Sequence, residues 1–378
     1  MRIVASLGRS VMVAAIAFLG LVCHAEDGVT KGSIVIGQSV ALTGPGSSLA
    51  SPFHDGAKLY FDRLNAAGGV NGRKVELVTL DDRGSAKLAA ENAKKLLDQG
   101  VFSLFGFYGS PQVTAAYPLI KDSEVLMFAP MAAADEFRGA LYPNVYSVRP
   151  GYAEEAAAIA KHAETLGAKR LGIIHATDSE SLAALDSATR TLPSMGSNLV
   201  VNAAVSSGSV ANSVDKVLAA KPECVLVIGD SNGAANAVRD LRAKGFRGPI
   251  YGFSNTGESL LAEELGPEGA GTILVRVVPK SDTAKVAVVR ELMVDSQAAK
   301  LGKTNVYMLE GYIAARVYAE ALRRIPRGDP TRAKLRKAIE SMDETSVGGF
   351  RVHFGNNDRV GSKLVELSLI DSQGKVRE

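Results

Sequence analysis

Residues 103–130 read SLFGFYGSPQVTAAYPLIKDSEVLMFAP, a pattern that predicts a buried strand, a tight loop, a helix and a second buried strand. The apolar run at 103–107 ends in Tyr-Gly-Ser-Pro, and the periodicity of the following residues is helical. Ser110 stands where a helix N-cap is expected, and Pro111 stands at the first helical position. We therefore predict that a helix begins at the carboxyl end of a buried strand.

The start of this helix is the first candidate binding site. A helix N-terminus presents free N–H groups and the positive end of the helix dipole, which suits a carboxylate or another acceptor-rich group. The simpler interpretation is that Ser110 only caps its own helix. The residues around it decide between the two.

Outward from this segment, apolar runs of strand length alternate with segments of helical periodicity. The predicted strands are residues 33–40, 74–81, 103–107, 170–175, 224–229, 249–254 and 272–278, and the predicted helices are residues 51–67, 87–99, 182–192, 233–244 and 305–324. Buried strands alternating with helices predict an α/β fold with mostly parallel sheets covered on both faces. The sequence VRPG at 148–151 separates two sets of such units, so we predict two doubly wound lobes, with ligands at the carboxyl ends of the strands.

The beginning of the chain has the pattern of an export signal. A basic start precedes an apolar run at 11–22 that is too short to span a bilayer, and Cys23-His24-Ala25 offers a small-residue cleavage site. We predict a signal peptide over residues 1–25 and a periplasmic protein. Lipid modification of Cys23 is the alternative, although Leu21 and Val22 lack the small residue expected beside it. No later stretch has the apolar length of a membrane helix.

Charge and cysteine content narrow the function further. The 378-residue chain has a formal charge of +3, and its Lys and Arg residues are dispersed, a distribution that argues against nucleic acid or an anionic membrane as partner. Once Cys23 is removed with the signal peptide, Cys224 in the apolar run CVLVIG is the remaining cysteine, and we expect it to be a buried small hydrophobe.

Motifs for catalysis or cofactor binding are missing from the sequence. The loop after the first strand, residues 41–46, contains Pro45 and no G-x-G-x-x-G pattern, which argues against a dinucleotide site. A proline follows Ser110 where the oxyanion hole of a hydrolase needs an N–H. The histidines show no metal-ligand spacing, and Asp81-Asp82 are more simply helix-capping carboxylates than a cation site. We therefore predict no enzyme activity, no cofactor and no bound metal.

Four ordered motifs resemble a known family. IVIGQSVALTGPGSS at 34–48, NAAGGVNGRKVELVTLDD at 65–82, LFGFYGSPQVTAAYPLI at 104–120 and VLMFAP at 125–130 are similar to the periplasmic binding proteins of branched-chain amino acid type, which serve ABC transporters. The resemblance covers residues 33–369 and implies the type I fold, with two lobes joined by three crossover segments. It places the crossovers near residues 147–151, 274–279 and 354–359.

The resemblance also implies lobe boundaries and partners. It predicts an N-terminal lobe of residues 26–148 and 277–355, and a C-terminal lobe of residues 149–276 and 356–378. The implied partners are one small-molecule ligand and the membrane permease of an ABC transporter. We expect the protein to be a monomer.

Half of the ligand site transfers from the family to this chain. A serine after the third strand holds the ligand carboxylate in amino-acid binders, and Ser110, next to Tyr108, stands at that position. The loop after the next strand offers backbone groups of Met131 and Ala133, but Ala133 replaces the usual threonine. Leu49, in the loop of the first lobe, takes the place of a large apolar or aromatic residue.

The other half departs from the family pattern. Glu180 follows the strand ending at His175 where a tyrosine is common, and Asp230 also replaces a tyrosine. Ser254 replaces the acidic residue that pairs with an amino acid's ammonium group. Because a buried ammonium without a carboxylate is costly, either Asp230 or Glu180 takes that role or the ligand is not an α-amino acid. A degenerate, weakly binding paralogue is a further alternative.

These observations predict an extracytoplasmic solute-binding protein. It would capture a small polar or carboxylate-bearing ligand, such as an amino acid, an amide or urea, or an organic acid, and deliver it to an ABC importer after hinge closure. The alternative is a periplasmic sensor of the same fold that feeds a signalling receptor. A secreted hydrolase using Ser110 would need His54 or His175 beside that serine.

Overall fold

The computed structural model describes residues 26–205, 209–326 and 328–377. The predicted signal peptide, with its cleavage site and Cys23, lies outside these ranges. Across the described ranges, each helix is either too short or too polar to cross a bilayer.

The first lobe is built on a five-stranded parallel sheet. Its strands lie in the order β2-β1-β3-β4-β5, and neighbouring strands pair in parallel throughout. They are β1 (Ser33–Val40), β2 (Lys74–Asp81), β3 (Ser103–Phe105), β4 (Met127–Phe128) and β5 (Val145–Tyr146).

The second lobe is built on a seven-stranded mixed sheet. The parallel strands are β6 (Arg170–His175), β7 (Asn198–Ala204), β8 (Cys224–Ile228), β9 (Ile250–Gly252) and β10 (Thr272–Arg276). Two short hairpin strands, β11 (Thr345–Val347) and β12 (Phe350–Val352), form a ribbon of their own, and β13 (Glu366–Ile370) and β14 (Val376–Arg377) follow. The chain returns to the second sheet through β13 and β14, which pair antiparallel at its edge. The predicted parallel sheet is therefore extended by an antiparallel edge.

Helices cover the two sheets. They are α1 (Ser47–Ala66), α2 (Ala86–Asp98), α3 (Ser110–Ala116), α4 (Tyr152–Thr165), α5 (Ser179–Ser194), α6 (Ala211–Ala219), α7 (Ser231–Ala243), α8 (Glu258–Leu265), α9 (Ala287–Ala298), α10 (Val306–Arg324) and α11 (Arg332–Glu340). Although α10 comes late in the chain, it is buried in the first lobe, where Tyr318 packs against Phe105 and Phe128. The α/β architecture with two sheets confirms the predicted fold class.

Two of the predicted crossover segments lie side by side. The backbone N–H of Ser147 donates to the carbonyl of Arg359 at 2.9 Å, and the N–H of Gly361 donates to the carbonyl of Ser147 at 2.7 Å. These bonds join the segment that leaves the first sheet to the segment that returns before β13. The lobe boundaries given above stay a prediction.

The N-cap prediction for Ser110 was wrong by one residue. Gly109 occupies the N-cap position with a φ of 91°, and Ser110 is the first residue of α3. A glycine is needed there because the backbone is left-handed and a Cβ would lie 2.2 Å from Oε1 of Gln112. The Ser110 hydroxyl makes no capping bond to its own helix, and its hydrogen bonds go to residues outside that helix.

Two glycines set the distance between α1 and α10. A Cβ on Gly311 would lie 1.8 Å from the carbonyl oxygen of Phe53, and a Cβ on Gly56 would lie 1.9 Å from that of Met308. The two backbones therefore touch at a point where no side chain fits. This contact fixes α1, whose N-terminal turn carries Leu49, against the core of the first lobe.

We predict that Gly311→Ala destabilises the protein by about 1–3 kcal/mol, because a buried methyl group would force the helices apart. The midpoint of chemical denaturation measures this loss. Gly32→Ala is the matched control, since a Cβ there meets no atom within 4 Å. Equal stability of the two variants would contradict the close helix contact.

Candidate functional site

A cavity of about 1160 Å³ lies between the carboxyl ends of the two sheets. Its first wall includes the segments after β1, β2, β3 and β4, and its second wall includes the segments after β6, β7, β8 and β9 together with one face of α7. The apolar lining residues include Leu49, Tyr108 and Met131 on one wall and Ile174 and Val227 on the other. Such a position, at the carboxyl ends of parallel strands, is where open α/β sheets bind ligands.

The backbone of the first wall is largely used by the fold. The N–H of Met131 donates to the carbonyl of Phe107 at 2.8 Å, and the carbonyl of Met131 accepts from the N–H of Gly109 at 3.0 Å. The carbonyl of Ala133 accepts from the N–H of Tyr152 at 2.9 Å. Leu49, Met131 and Ala133 line the cavity, but the Met131 N–H is not available to a ligand.

Tyr108 stands on the same wall. Burial and the nearby Glu180 carboxylate raise the pKa of its phenol, so the hydroxyl stays protonated at neutral pH. The Tyr108 ring also packs against Gly46 in the loop after β1. A Cβ at Gly46 would lie 2.5 Å from Cε1 of Tyr108, so no larger residue fits there without a shift of the ring.

Ser110 is bound to a residue of the other lobe. Its N–H donates to Oε2 of Glu180 at 2.6 Å, and its hydroxyl donates to Oε1 of the same carboxylate at 2.8 Å. Ser110 is only 3% exposed, and its Oγ also accepts from the N–H of Ala134 at 3.2 Å. The two sequence candidates Ser110 and Glu180 thus meet each other across the cleft.

Tyr152 is a third member of this group that sequence reasoning missed. Its hydroxyl donates to Oε1 of Glu180 at 2.6 Å. Burial, reinforced by the Glu180 carboxylate, raises the pKa of Tyr152 well above its usual value, which keeps the phenol a donor. Its position directly after Pro150-Gly151, at the predicted crossover, was the available signal.

Asp178 and Asp230 line the second wall as helix caps. Asp178 accepts from the N–H of Ser181 at 3.0 Å and from its hydroxyl at 2.7 Å, so both carboxylate oxygens are used. Asp230 caps α7 through one oxygen, which accepts from the N–H of Gly233 at 2.8 Å. The Asp230 side chain is exposed and lines the cavity.

Ser254 belongs to a buried ion cluster. Its N–H and hydroxyl donate to the two carboxylate oxygens of Glu155 at 2.9 and 2.8 Å, and Arg149 also hydrogen-bonds its Oγ. Arg149 pairs with Glu155 at 3.1 Å and with Glu310 at 3.4 Å. Ser254, which the sequence offered as a ligand-binding residue, therefore forms hydrogen bonds within this cluster. Its neighbour Asn255 lines the cavity instead.

Burial shapes the charge of this cluster. It raises the pKa values of Glu155 and Glu310, while Arg149 opposes the shift in both. Arg149 lines the cavity, but its positive charge is matched by two buried carboxyl groups. It is therefore not a spare cation for an anionic ligand.

The histidines that a Ser110 hydrolase would need make other bonds. His54 pairs through Nδ1 with Oε1 of Gln38 at 2.7 Å, and His175 pairs through Nδ1 with the carbonyl of Ala176 at 2.8 Å. Neither of these bonds involves Ser110, whose hydroxyl donates to Glu180.

Known proteins share this architecture. The model of the family described as periplasmic binding protein matches residues 33–375. The Leu/Ile/Val-binding protein BraC3 of Rhizobium johnstonii is 25% identical over 365 residues, which is 94% of each chain.

Solved structures agree with this match. A substrate-binding periplasmic protein from Ralstonia solanacearum is 28% identical, with a TM-score of 0.81 over 91% of this chain and 99% of its own. An extracellular ligand-binding receptor from Verminephrobacter eiseniae has a TM-score of 0.84 at 24% identity, over 92% of this chain and 100% of its own. The family match over nearly all of the described residues confirms the resemblance seen in the four motifs: the chain belongs to the periplasmic binding protein family, in its branched-chain amino acid type.

Proposed function

We propose that this protein is an extracytoplasmic solute-binding protein that captures one small polar molecule between its lobes and delivers it to the permease of an ABC importer. The observation that carries the proposal is the cavity between the carboxyl ends of the two sheets, lined from both lobes. The name of the BraC3 relative, which describes Leu, Ile and Val binding, supports solute capture as the role.

Closure of the two lobes would trap the solute. The Ser110–Glu180 bonds join α3 of the first lobe to the N-terminal turn of α5 in the second. A second link joins Asp135 of the first lobe to the N–H of Ala153 at 3.1 Å and to Arg190 of α5 at 3.7 Å. A ligand that touches both walls binds this closed form better than an open one, and that difference drives closure.

The periplasm is the proposed place of action. The family name and the sequence pattern of residues 1–25 support export followed by cleavage after Ala25. We propose that the mature protein acts as a monomer that presents its closed form to the permease.

A thermal-shift screen tests solute capture. We predict that at least one compound among amino acids, amides, ureas and organic acids raises the melting temperature of the purified protein in a saturable manner, because a ligand that binds only the folded state stabilises it by mass action. Uptake of that compound should then be lost in cells that lack the gene. If no compound gave a saturable shift, solute capture would be contradicted.

We predict that Ser110→Ala weakens binding of the solute found in that screen by about 1–3 kcal/mol, because the closed form loses a hydrogen bond to a charged group across the cleft. Isothermal titration calorimetry measures the change. Ser123→Ala is the matched control, since the Ser123 hydroxyl bonds the carbonyl of Ile120 outside the cavity. Unchanged affinity in Ser110→Ala would remove Ser110 from the binding machinery.

Asp230 is the proposed partner of a positive group on the solute. Asn also caps helices, so Asp230→Asn removes the charge and keeps the cap of α7. We predict that this variant weakens binding of amine-bearing solutes by roughly 1 kcal/mol and leaves neutral solutes unaffected. Asp122→Asn, at an exposed position outside the cavity, is the control. Equal losses for charged and neutral solutes would contradict the role.

A further inference from the structure

The Glu180 carboxylate occupies a fully formed binding position. It accepts three hydrogen bonds, from the N–H and the hydroxyl of Ser110 and from the hydroxyl of Tyr152, at distances of 2.6, 2.8 and 2.6 Å. Both carboxylate oxygens take part. Hydrogen bonds to an ionised acceptor are the strong ones, so this set of donors is suited to a carboxylate.

The N–H and O–H groups of Ser110 and Tyr152 that bond Glu180 are not available to a second carboxylate. Ser110 has one N–H and one O–H, and Glu180 receives both. The single O–H of Tyr152 also goes to Glu180, and the N–H of Met131 goes to the carbonyl of Phe107. A solute carboxylate at this position would have to displace the Glu180 carboxylate, which would then lose these three hydrogen bonds.

The charges around the position point the same way. Asp178 and Asp230 line the cavity with Glu180, and a solute carboxylate beside them would meet like charges. Arg149 and Arg239 line the cavity too, but Arg149 already pairs with Glu155 and Glu310, and Arg239 already pairs with Glu264 and Glu268. The cleft therefore favours solutes that are neutral or positively charged.

We propose that Glu180 is a specificity-determining residue that fills the carboxylate position from within the chain, so that the cleft takes solutes without a carboxylate group. The solute class is amides, ureas and amines, which offer N–H donors to the acidic cleft. This inference rests on the proposed function of solute capture. It also makes Glu180 part of closure, because its carboxylate joins α5 of the second lobe to Ser110 of the first.

Matched acid and amide pairs test the selectivity. The probes are isovalerate with isovaleramide, and L-leucine with L-leucinamide, measured by calorimetry on the complete exported protein. In the wild-type protein, the amide of at least one pair binds at least about tenfold tighter than its acid, and neither acid binds tighter than its amide. Glu180→Ala narrows or reverses this ratio, because the donors of Ser110 and Tyr152 become free. Glu164→Ala, on the exposed face of α4, keeps the wild-type ratio.

Acetate tests occupancy of the position directly, and it does so even if the leucine-derived probes do not fit. Glu180→Ala leaves buried donors without a partner, so its melting temperature falls, and acetate restores it in a saturable manner that chloride does not reproduce. Glu180→Gln keeps an acceptor oxygen at Ser110 and shows no such rescue. The wild-type protein shows no acetate effect.

Each result decides the proposal. Saturable acetate binding to the wild-type protein, an acid that binds it tighter than the matched amide, or a folded Glu180→Ala variant without acetate rescue would overturn it. A wild-type protein that binds an amino acid tightly keeps the solute-binding function and rejects this inference. If acetate restores the melting temperature of Glu180→Ala but no compound in the thermal-shift screen stabilises the wild-type protein, the role of Glu180 is supported and solute capture is contradicted.

Discussion

The buried guanidinium of Arg149 is the constraint around which the two lobes are arranged. It is 5% exposed, and a charge so removed from water must be paired. Its partners are Glu155 on α4, in the second lobe, and Glu310 on α10, in the first. Since Arg149 itself lies where the chain passes from one sheet to the other, one ionic cluster joins the crossover to both lobes. Ser254 completes the cluster: its hydroxyl donates to Oε1 of Glu155, which Arg149 also bonds, and its N–H donates to Oε2.

The cleft depends on this anchoring. The Arg149 cluster holds the two lobes together at the crossover. The loops after β3 and β6 face each other across the cleft, where Ser110 bonds Glu180. At the anchored end the guanidinium of Arg149 is paired with carboxyl groups of both lobes, whereas carboxylates outnumber guanidinium groups among the residues that line the cavity. The proposed selectivity and the proposed closure both depend on Glu180, because its carboxylate bonds Ser110 of the other lobe and also lines the cavity.

Local patterns predicted the fold well. The bounds of β1, β2 and β6 follow from the apolar runs alone, and α2 was placed within one residue at each end. Periodicity carries this information because a half-buried helix or a buried strand must repeat its apolar positions. The start of α3 was misplaced by one residue, since the left-handed backbone at Gly109 is not visible as a pattern.

The site was harder to predict from the sequence. Leu49, Tyr108 and Asp230 line the cavity: Tyr108 and Asp230 lie in loops that follow strands, and Leu49 lies in the first turn of α1. Ser254 also follows a strand, but it bonds Glu155, which is 99 residues away along the chain. No local signal reveals such a partner. Ser110 and Glu180 are likewise 70 positions apart along the chain. Their hydrogen bond places a side chain of the protein itself where the sequence predicted a ligand.

The backbone contact of Gly56 with α10 has a consequence for how the chain acquires its structure. The first lobe begins at β1, yet its central helix is made of residues 306–324, so the core around Phe61 and Phe105 stays incomplete until most of the chain has been synthesised. A chain interrupted before α10 would expose the apolar face of α1 to water and to other chains. The second lobe has less need to wait, since β6 to β10 are consecutive. The connectivity therefore sets an order of assembly: the first lobe begins at β1, but its core is completed by α10 only after the strands β6 to β10 of the second lobe have been made.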